Sequence, residues 1–116
     1  MSPASTSISL DDFHKVDLRV GTVLSVEPNK KARTPAYVLE IDFGPSFGRK
    51  RTSAQVTANY DAAALVGRQV TAIVNLPPKN VAGIVSEVRI LGAICPTGGT
   101  VLLTPTKPVE NGAPVD

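Results

Sequence analysis

Tryptophan is absent from this 116-residue sequence, and cysteine, histidine and methionine each occur once. Because one cysteine and one histidine cannot form a zinc site built on those two residue types, we expect no metal site and no other cofactor. The lone Cys95 cannot form an internal disulfide, and a chain without disulfides fits the reducing cytoplasm. Aromatic residues make up only 4% of the chain, too few for a platform on which successive nucleic-acid bases could stack.

Long hydrophobic runs are also missing. No apolar stretch approaches the roughly 20 residues that span a bilayer. The N-terminal sequence MSPASTSISLDDF has neither the basic region nor the apolar region of a secretory signal. We therefore expect a soluble, cytoplasmic protein without membrane insertion. The net charge of +2 is too small to indicate a nucleic-acid partner by itself.

Catalytic motifs are equally scarce. The sequence contains neither a Walker A motif nor a GxGxxG motif, and His14 has no accompanying nucleophile or orienting acid. Glu40 and Asp42 share one face of a predicted strand, where carboxylates more often face solvent than act as an acid and a base. We therefore predict no catalytic residues and expect a binding protein, not an enzyme.

The residues that are abundant predict a mostly β domain. Apolar residues alternate at period two in several short segments separated by Gly and Pro, which indicates half-buried strands. The predicted strands are residues 18–26, 37–43, 50–57, 69–75, 86–91 and 101–104. Within the first, Val23 breaks the alternation, and Gly21 is the expected site of a bulge or bend. The prolines at 77–78 are expected to end the fourth strand.

Two short helices complete the predicted order. The segment from Ser9 to Asp12 has the spacing of a capping box, and Asn59 or Asp61 can cap an Ala-rich helix that ends at Val66. Five strands with a helix between the third and the fourth form an oligonucleotide/oligosaccharide-binding (OB) barrel, although SH3-like barrels share the strand count. We predict a flexible arm at residues 1–8 and an all-β, five-stranded OB-fold domain at residues 9–112.

Several segments resemble one known family. They are DLRVGTV (17–23), ARTPAYVLEIDFG (32–44), RTSAQVT (51–57), VNLPPKNVAGIVSEVRILG (74–92) and VLLTPTKPVENG (101–112). In order and spacing they are similar to CsaA, a family of export-related chaperones within the superfamily of tRNA-binding domains. The resemblance implies an OB barrel whose N- and C-terminal extensions are used in dimerisation. It also implies a homodimer that binds unfolded or pre-secretory polypeptide.

The same resemblance leaves tRNA as an alternative ligand, because relatives in the superfamily bind tRNA. Those relatives usually read S-x-G-M after the Ala-Gly pair, whereas here Ser86 is followed by Glu87 and Val88. An acid at this position disfavours an RNA groove. Reversible, ATP-independent capture of polypeptide is therefore the first prediction and tRNA binding in the same groove the second.

The candidate ligand residues form a polar set and an apolar set. In an OB barrel the loop between the first two strands flanks the ligand groove, so basic residues there would neutralise phosphates and give salt-dependent affinity. The predicted groove residues are Lys30, Lys31, Arg33, Arg49, Arg51, Gln55, Asn75, Lys79, Ser86 and Glu87, with Lys50 and Arg19 beside them. The apolar pocket candidates are Phe43, Phe47, Val81 and Ile84. The alternatives are a solvated surface for the polar set and core or interface packing for the apolar set.

Overall fold

The computed structural model describes residues 6–116, so residues 1–5 of the predicted arm lie outside the described residues. Two short helices and nine strands follow one another along the chain. They are α1 Leu10–His14, β1 Leu18–Pro28, β2 Tyr37–Asp42, β3 Arg49–Ala54, α2 Ala62–Leu65, β4 Gln69–Ile73, β5 Lys79–Val81, β6 Ile84–Ser86, β7 Arg89–Ile90, β8 Gly92–Cys95 and β9 Gly99–Leu102. In this described part of the chain, no helix has the length and apolarity needed to cross a membrane.

Five strands form one antiparallel sheet in the order β3-β2-β1-β4-β7, which curls into a nearly closed barrel. The long strand β1 serves both halves, because residues 18–22 pair with β4 while residues 22–28 pair with β2. With α2 between β3 and β4, this is the predicted OB fold. The barrel is least regular where β3 meets β6 and β7, since β3 and β7 are the two ends of the sheet order.

Strand β1 bends at a bulge, but not where the sequence predicts it. The register with β2 shifts between Val23 and Ser25, which explains why Val23 breaks the alternation and is nevertheless buried. Gly21 is needed for a different reason. A Cβ atom at Gly21 would lie 2.6 Å from Cγ2 of Ile41 and 2.8 Å from Cδ1 of Phe43, so only glycine leaves room for these side chains of the neighbouring strand to pack over β1.

The core is aliphatic apart from one ring. Leu39, Ile41, Leu65 and Val70 are fully buried around Phe43, whose exposed fraction is 0%. The prediction that Phe43 lines an exposed pocket is therefore wrong. As the last residue of the alternating series from 37 to 43, its side chain takes the inward position of that strand.

The segment after β4 differs most from the prediction. Strand β4 ends at Ile73, before the prolines predicted to stop it, and the chain then forms a hairpin, β5–β6, in which Val81 pairs with Ile84. Its two turn residues have positive φ angles, 49° at Ala82 and 82° at Gly83, as a type I′ turn requires. The strand predicted at 86–91 is consequently divided between the end of β6 and β7.

The helix α1 carries its own cap, and the C-terminal segment is hydrogen-bonded to β1. The Asp12 amide donates to Oγ of Ser9 at 3.0 Å, so the predicted cap of α1 is present. At the other end, the amide of Gly112 donates to the Val20 carbonyl at 2.7 Å, and the amide of Val20 donates to the Ala113 carbonyl at 3.0 Å. The C-terminal segment thus lies antiparallel to the first half of β1, with an isolated β-bridge between Arg19 and Pro114.

Candidate ligand-binding groove

A groove opens where the barrel is least regular, between β3 on one side and β6, β7 and the β8–β9 hairpin on the other. Its volume is about 930 Å³, at the upper end of the range for small-ligand pockets. The loop before β2 and the segment from Leu76 to Pro78 form its ends. The site therefore combines distant parts of the chain on the face where OB folds bind oligomers.

The floor of the groove is formed by aliphatic core residues. Val56, Val88 and Leu102 line it while remaining only 3%, 5% and 7% exposed. Ile94, in contrast, lines the groove with 81% of its surface exposed. None of the described lining residues is aromatic. The floor therefore suits aliphatic side chains, and it offers no ring on which a base could stack.

Three cationic side chains stand around this floor: Arg33, Lys79 and Arg89. Within residues 6–116 none of them forms a salt bridge. Arg33 and Lys79 were predicted from the sequence, whereas Arg89 was not. The sequence signal that could have identified Arg89 was its position next to the buried Val88 in the alternating segment 86–91. Three unpaired cations beside an apolar floor make the groove attractive to an anionic ligand.

Ser86 and Glu87 line the groove, but their side chains also close the barrel. The amide of Ser53 donates to Oγ of Ser86 at 2.9 Å, and the amide of Arg51 donates to Oε1 of Glu87 at 3.1 Å. In return the amide of Glu87 donates to the Arg51 carbonyl at 2.8 Å. Side-chain oxygens thus replace the missing ladder bonds between β3 and β6.

This arrangement changes what Glu87 can do. Its carboxylate already accepts a backbone hydrogen bond, and its other oxygen lies 4.0 Å from Nζ of Lys50. The negative charge that seemed to disfavour RNA is therefore partly compensated by the Arg51 amide and by Lys50. Glu87 is consequently weaker evidence against an anionic ligand than its sequence position indicates.

Ser86→Ala is expected to lower the free energy of unfolding by about 1 kcal/mol, because the partly buried Ser53 amide would lose its acceptor. Ser25→Ala, an exposed strand serine, is the matched control and should stay within about 0.5 kcal/mol of the parent. Urea unfolding followed by circular dichroism measures both. Equal stabilities of the two variants would contradict a closing role for Ser86.

The predicted ligand residues divide into two groups in the structure. Those that line the groove are Arg33, Gln55, Lys79, Val81, Ser86 and Glu87. Those placed outside its lining are Lys30, Lys31, Arg49, Arg51, Asn75, Phe43, Phe47 and Ile84. Most of the first group comes from the hairpin region that follows β4, which the family-like segments contain. Whether these residues touch a ligand stays a prediction.

Several members of the second group have structural partners instead. The Asn75 side chain accepts from the Asp17 amide at 2.9 Å and donates to the Lys15 carbonyl at 2.7 Å, so it fastens the segment after α1. Arg49 pairs with Glu40 at 3.5 Å. These contacts place Asn75 and Arg49 in the support of the fold.

Phe47 and Arg19 form another such pair away from the groove. The guanidinium of Arg19 lies 4.8 Å from the centre of the Phe47 ring, and its Nε donates to Oδ1 of Asp17 at 2.7 Å. Nη1 of Arg19 also donates to the Gly112 carbonyl at 3.2 Å. Both side chains therefore support the C-terminal segment, and the prediction of Arg19 beside the groove is wrong.

Asp12 and Cys95, which both lie outside the groove lining, have lowered pKa values. A hydrogen bond with the Lys15 side chain, followed by bonds with Ser9, lowers the pKa of Asp12. A hydrogen bond with the Thr97 side chain, followed by backbone bonds, lowers the pKa of the exposed Cys95 thiol. Residues 6–116 contain no cluster of three His, Cys, Asp or Glu residues that would hold a metal ion.

Comparison with known proteins gives two sets of similar chains. Methionine–tRNA ligase of Parabacteroides distasonis is 36% identical over 113 residues, which is 97% of this chain but only 16% of the ligase. The chain thus spans about one sixth of the length of such curated relatives. Among solved structures, the chaperone CsaA of Bacillus anthracis has a TM-score of 0.90 and 46% identity, covering 96% of this chain and 100% of that one.

A second chaperone structure agrees with the first. The CsaA chaperone protein of Picrophilus torridus has a TM-score of 0.89 and 44% identity, covering 95% of this chain and 100% of that one. The family described as "Putative tRNA binding domain" matches residues 18–114. The resemblance seen in the sequence is therefore confirmed: the chain belongs to the tRNA-binding-domain family, within which it is similar to the CsaA chaperones.

Proposed function

We propose that the protein is a chaperone-like binder that captures unfolded or pre-secretory polypeptide reversibly and without ATP in the groove beside β3. The observation that carries the proposal is an open aliphatic floor with exposed Ile94 at its edge, in a chain 46% identical to a CsaA chaperone. A transient holder of unfolded chains needs exposed apolar surface beside a polar rim. No covalent step is required, so the proposed activity is binding and not catalysis.

Homodimerisation in the cytoplasm is part of this proposal. The N-terminal extension carries two exposed apolar side chains, Ile8 at 70% and Leu10 at 68%, which supports their burial against a second copy. Two grooves in one dimer would let a single client gain avidity by engaging both. The exposed free thiol of Cys95 fits a reducing compartment. Light scattering at micromolar concentration measures the mass, and a monomer would contradict the dimer.

A tRNA-binding function is the second candidate. It is favoured by the family match over residues 18–114 and by the unpaired cations Arg33, Lys79 and Arg89 at the groove. The same groove would hold phosphates at its rim, with affinity that falls steeply as salt rises. The lack of aromatic lining implies recognition of the phosphate backbone and not of stacked bases.

Ile94→Asp is expected to weaken polypeptide capture about 5-fold, because one aliphatic contact is replaced by a hydrated charge. Val66→Asp is the matched control, since Val66 is 50% exposed but lies outside the groove lining. The assay follows aggregation of a chemically unfolded client by light scattering, with and without ATP. We expect the parent and the control to delay aggregation equally, and ATP to change nothing.

Binding of bulk tRNA in place of unfolded client is the result that would contradict polypeptide capture. A gel shift at low and at high salt measures tRNA binding directly. If tRNA binds with a steep salt dependence while the protein neither delays aggregation nor is displaced by unfolded client, polypeptide capture is the wrong function.

A further inference from the structure

The edge of β3 that faces the groove has unused backbone hydrogen-bonding groups. Along an antiparallel strand the backbone N–H and C=O groups of successive residues point to alternate sides. The Ser53 amide donates to Ser86, which shows that the backbone groups of Ser53 point away from β2. The Ser53 carbonyl, which points the same way, accepts no hydrogen bond within residues 6–116, and the Gln55 amide donates none there. Both residues line the groove.

The closure of the barrel stops at this point of β3. Arg51 and Ser53 are met by Glu87 and Ser86, whereas Gln55, one residue past the end of β3, lines the open groove. An acceptor at Ser53 and a donor two residues later at Gln55 have the spacing with which one strand binds another. They therefore match the backbone of an extended polypeptide.

The side chains around this edge indicate what such a polypeptide carries. The floor beneath it is aliphatic, so residues pointing inward at every second position would be aliphatic. Arg33, Lys79 and Arg89 surround it without carboxylate partners in the described residues. Charge complementarity therefore favours acidic residues at the flanks of the segment.

We propose that the groove binds an extended, acid-flanked aliphatic segment as an added strand on the edge of β3, through the Ser53 carbonyl and the Gln55 amide. This inference rests on the proposed polypeptide capture and names its ligand class and binding mode. Main-chain hydrogen bonds read no sequence, whereas alternate pockets and flanking charges supply selectivity. Strand addition thus explains how one small groove accepts many clients.

The test uses the full chain and a labelled peptide of alternating Val and Ser residues with Glu at both flanks, followed by fluorescence anisotropy. Single N-methyl groups are placed at successive peptide positions. We expect about a 3- to 10-fold loss of affinity at the one position whose amide meets the Ser53 carbonyl and little loss at the other positions, because only that methyl group removes a strand bond. Exchanging the flanking Glu for Lys is expected to weaken binding about 10-fold at low salt.

Protein variants provide the second readout. Gln55→Pro removes the amide hydrogen and should weaken the unmethylated peptide about 3- to 10-fold, whereas Gln55→Ala keeps it and should bind as the parent does. Circular dichroism checks that both variants remain folded. If the proline variant does not fold, the peptide methylation series alone decides whether the peptide binds as an added strand.

The outcomes separate the inference from the function on which it rests. Binding that is indifferent to the position of the methyl group overturns strand addition while leaving polypeptide capture in place. Tighter binding of the Lys-flanked peptide overturns the predicted charge preference. If no peptide binds and an oligoribonucleotide of mixed sequence does, both the inference and polypeptide capture are overturned.

Discussion

Phe43→Ala is expected to lower the free energy of unfolding by about 3–5 kcal/mol, the usual cost of truncating a fully buried ring. Phe43 is 0% exposed and lies among Leu39, Ile41 and Val70 in the core. Because a domain of this size is stabilised by only about 5–15 kcal/mol, the variant should be near the limit of folding. Urea unfolding at 25 °C, monitored by circular dichroism, gives the difference directly.

Phe47→Ala is the matched control for this prediction. Phe47 is only half-buried, packs against the edge of the core and carries Arg19 on its ring. Its loss should cost less than half as much as the loss of Phe43. If the two variants lost similar stability, or if Phe43→Ala left stability unchanged and weakened ligand binding, the core assignment of Phe43 would be wrong.

The two phenylalanines also illustrate what the sequence could not resolve. Alternation along a strand defines two faces, and it assigned Leu39, Ile41 and Phe43 to one face correctly. The alternation does not show which residues beyond the end of a strand are buried in the core. Phe43 lies one residue after β2, where a pattern cannot distinguish the core from the rim. The barrel itself was predictable because period-two alternation is a local property of each strand.

The β5–β6 hairpin was not predictable in the same way. Pro77 and Pro78 correctly mark a break between strands, but the turn at Ala82 and Gly83 lacks the Asn-Gly or Asp-Gly pair that usually marks a type I′ turn. Positive φ at Ala82 is accepted because the flanking strands impose it. A turn stabilised by its strands has no strong local signal.

The groove was predictable only in part, and for a related reason. Arg33, Lys79 and Ser86 were found because they lie in segments that resemble the family. The contact of the Ser86 hydroxyl with the Ser53 amide joins residues 33 positions apart, and no pattern within either strand predicts it. Arg89 was missed because a single arginine on the outer face of a short strand looks like ordinary surface.

Reversing the three groove cations, with Arg33→Glu, Lys79→Glu and Arg89→Glu together, is expected to remove most tRNA binding at low salt. If each contacts one phosphate, the slope of log affinity against log salt should fall by about 2–3. Between 50 and 200 mM salt that slope corresponds to roughly a 15- to 60-fold change in affinity. Repulsion from the three new carboxylates adds to the loss at low salt.

The control for this prediction carries the same change in net charge at cations outside the groove lining: Lys30→Glu, Arg49→Glu and Lys107→Glu. Two of these, Lys30 and Arg49, belong to the basic set predicted from the sequence, so the control also tests that prediction. Filter binding of bulk tRNA across the salt series measures both triple variants. Because long-range attraction depends on total charge, both should lose some affinity.

Only the groove variant should lose the steep part of the salt dependence, since counterion release reports direct phosphate contacts. Equal slopes for the two variants would mean that tRNA is held by the overall charge and not by the groove. A steeper loss in the control would move the RNA site to the Lys30 side of the barrel and leave the groove to polypeptide alone. The three unpaired cations beside an aliphatic floor favour a loss of slope in the groove variant alone. In that case tRNA and polypeptide would compete for the same groove.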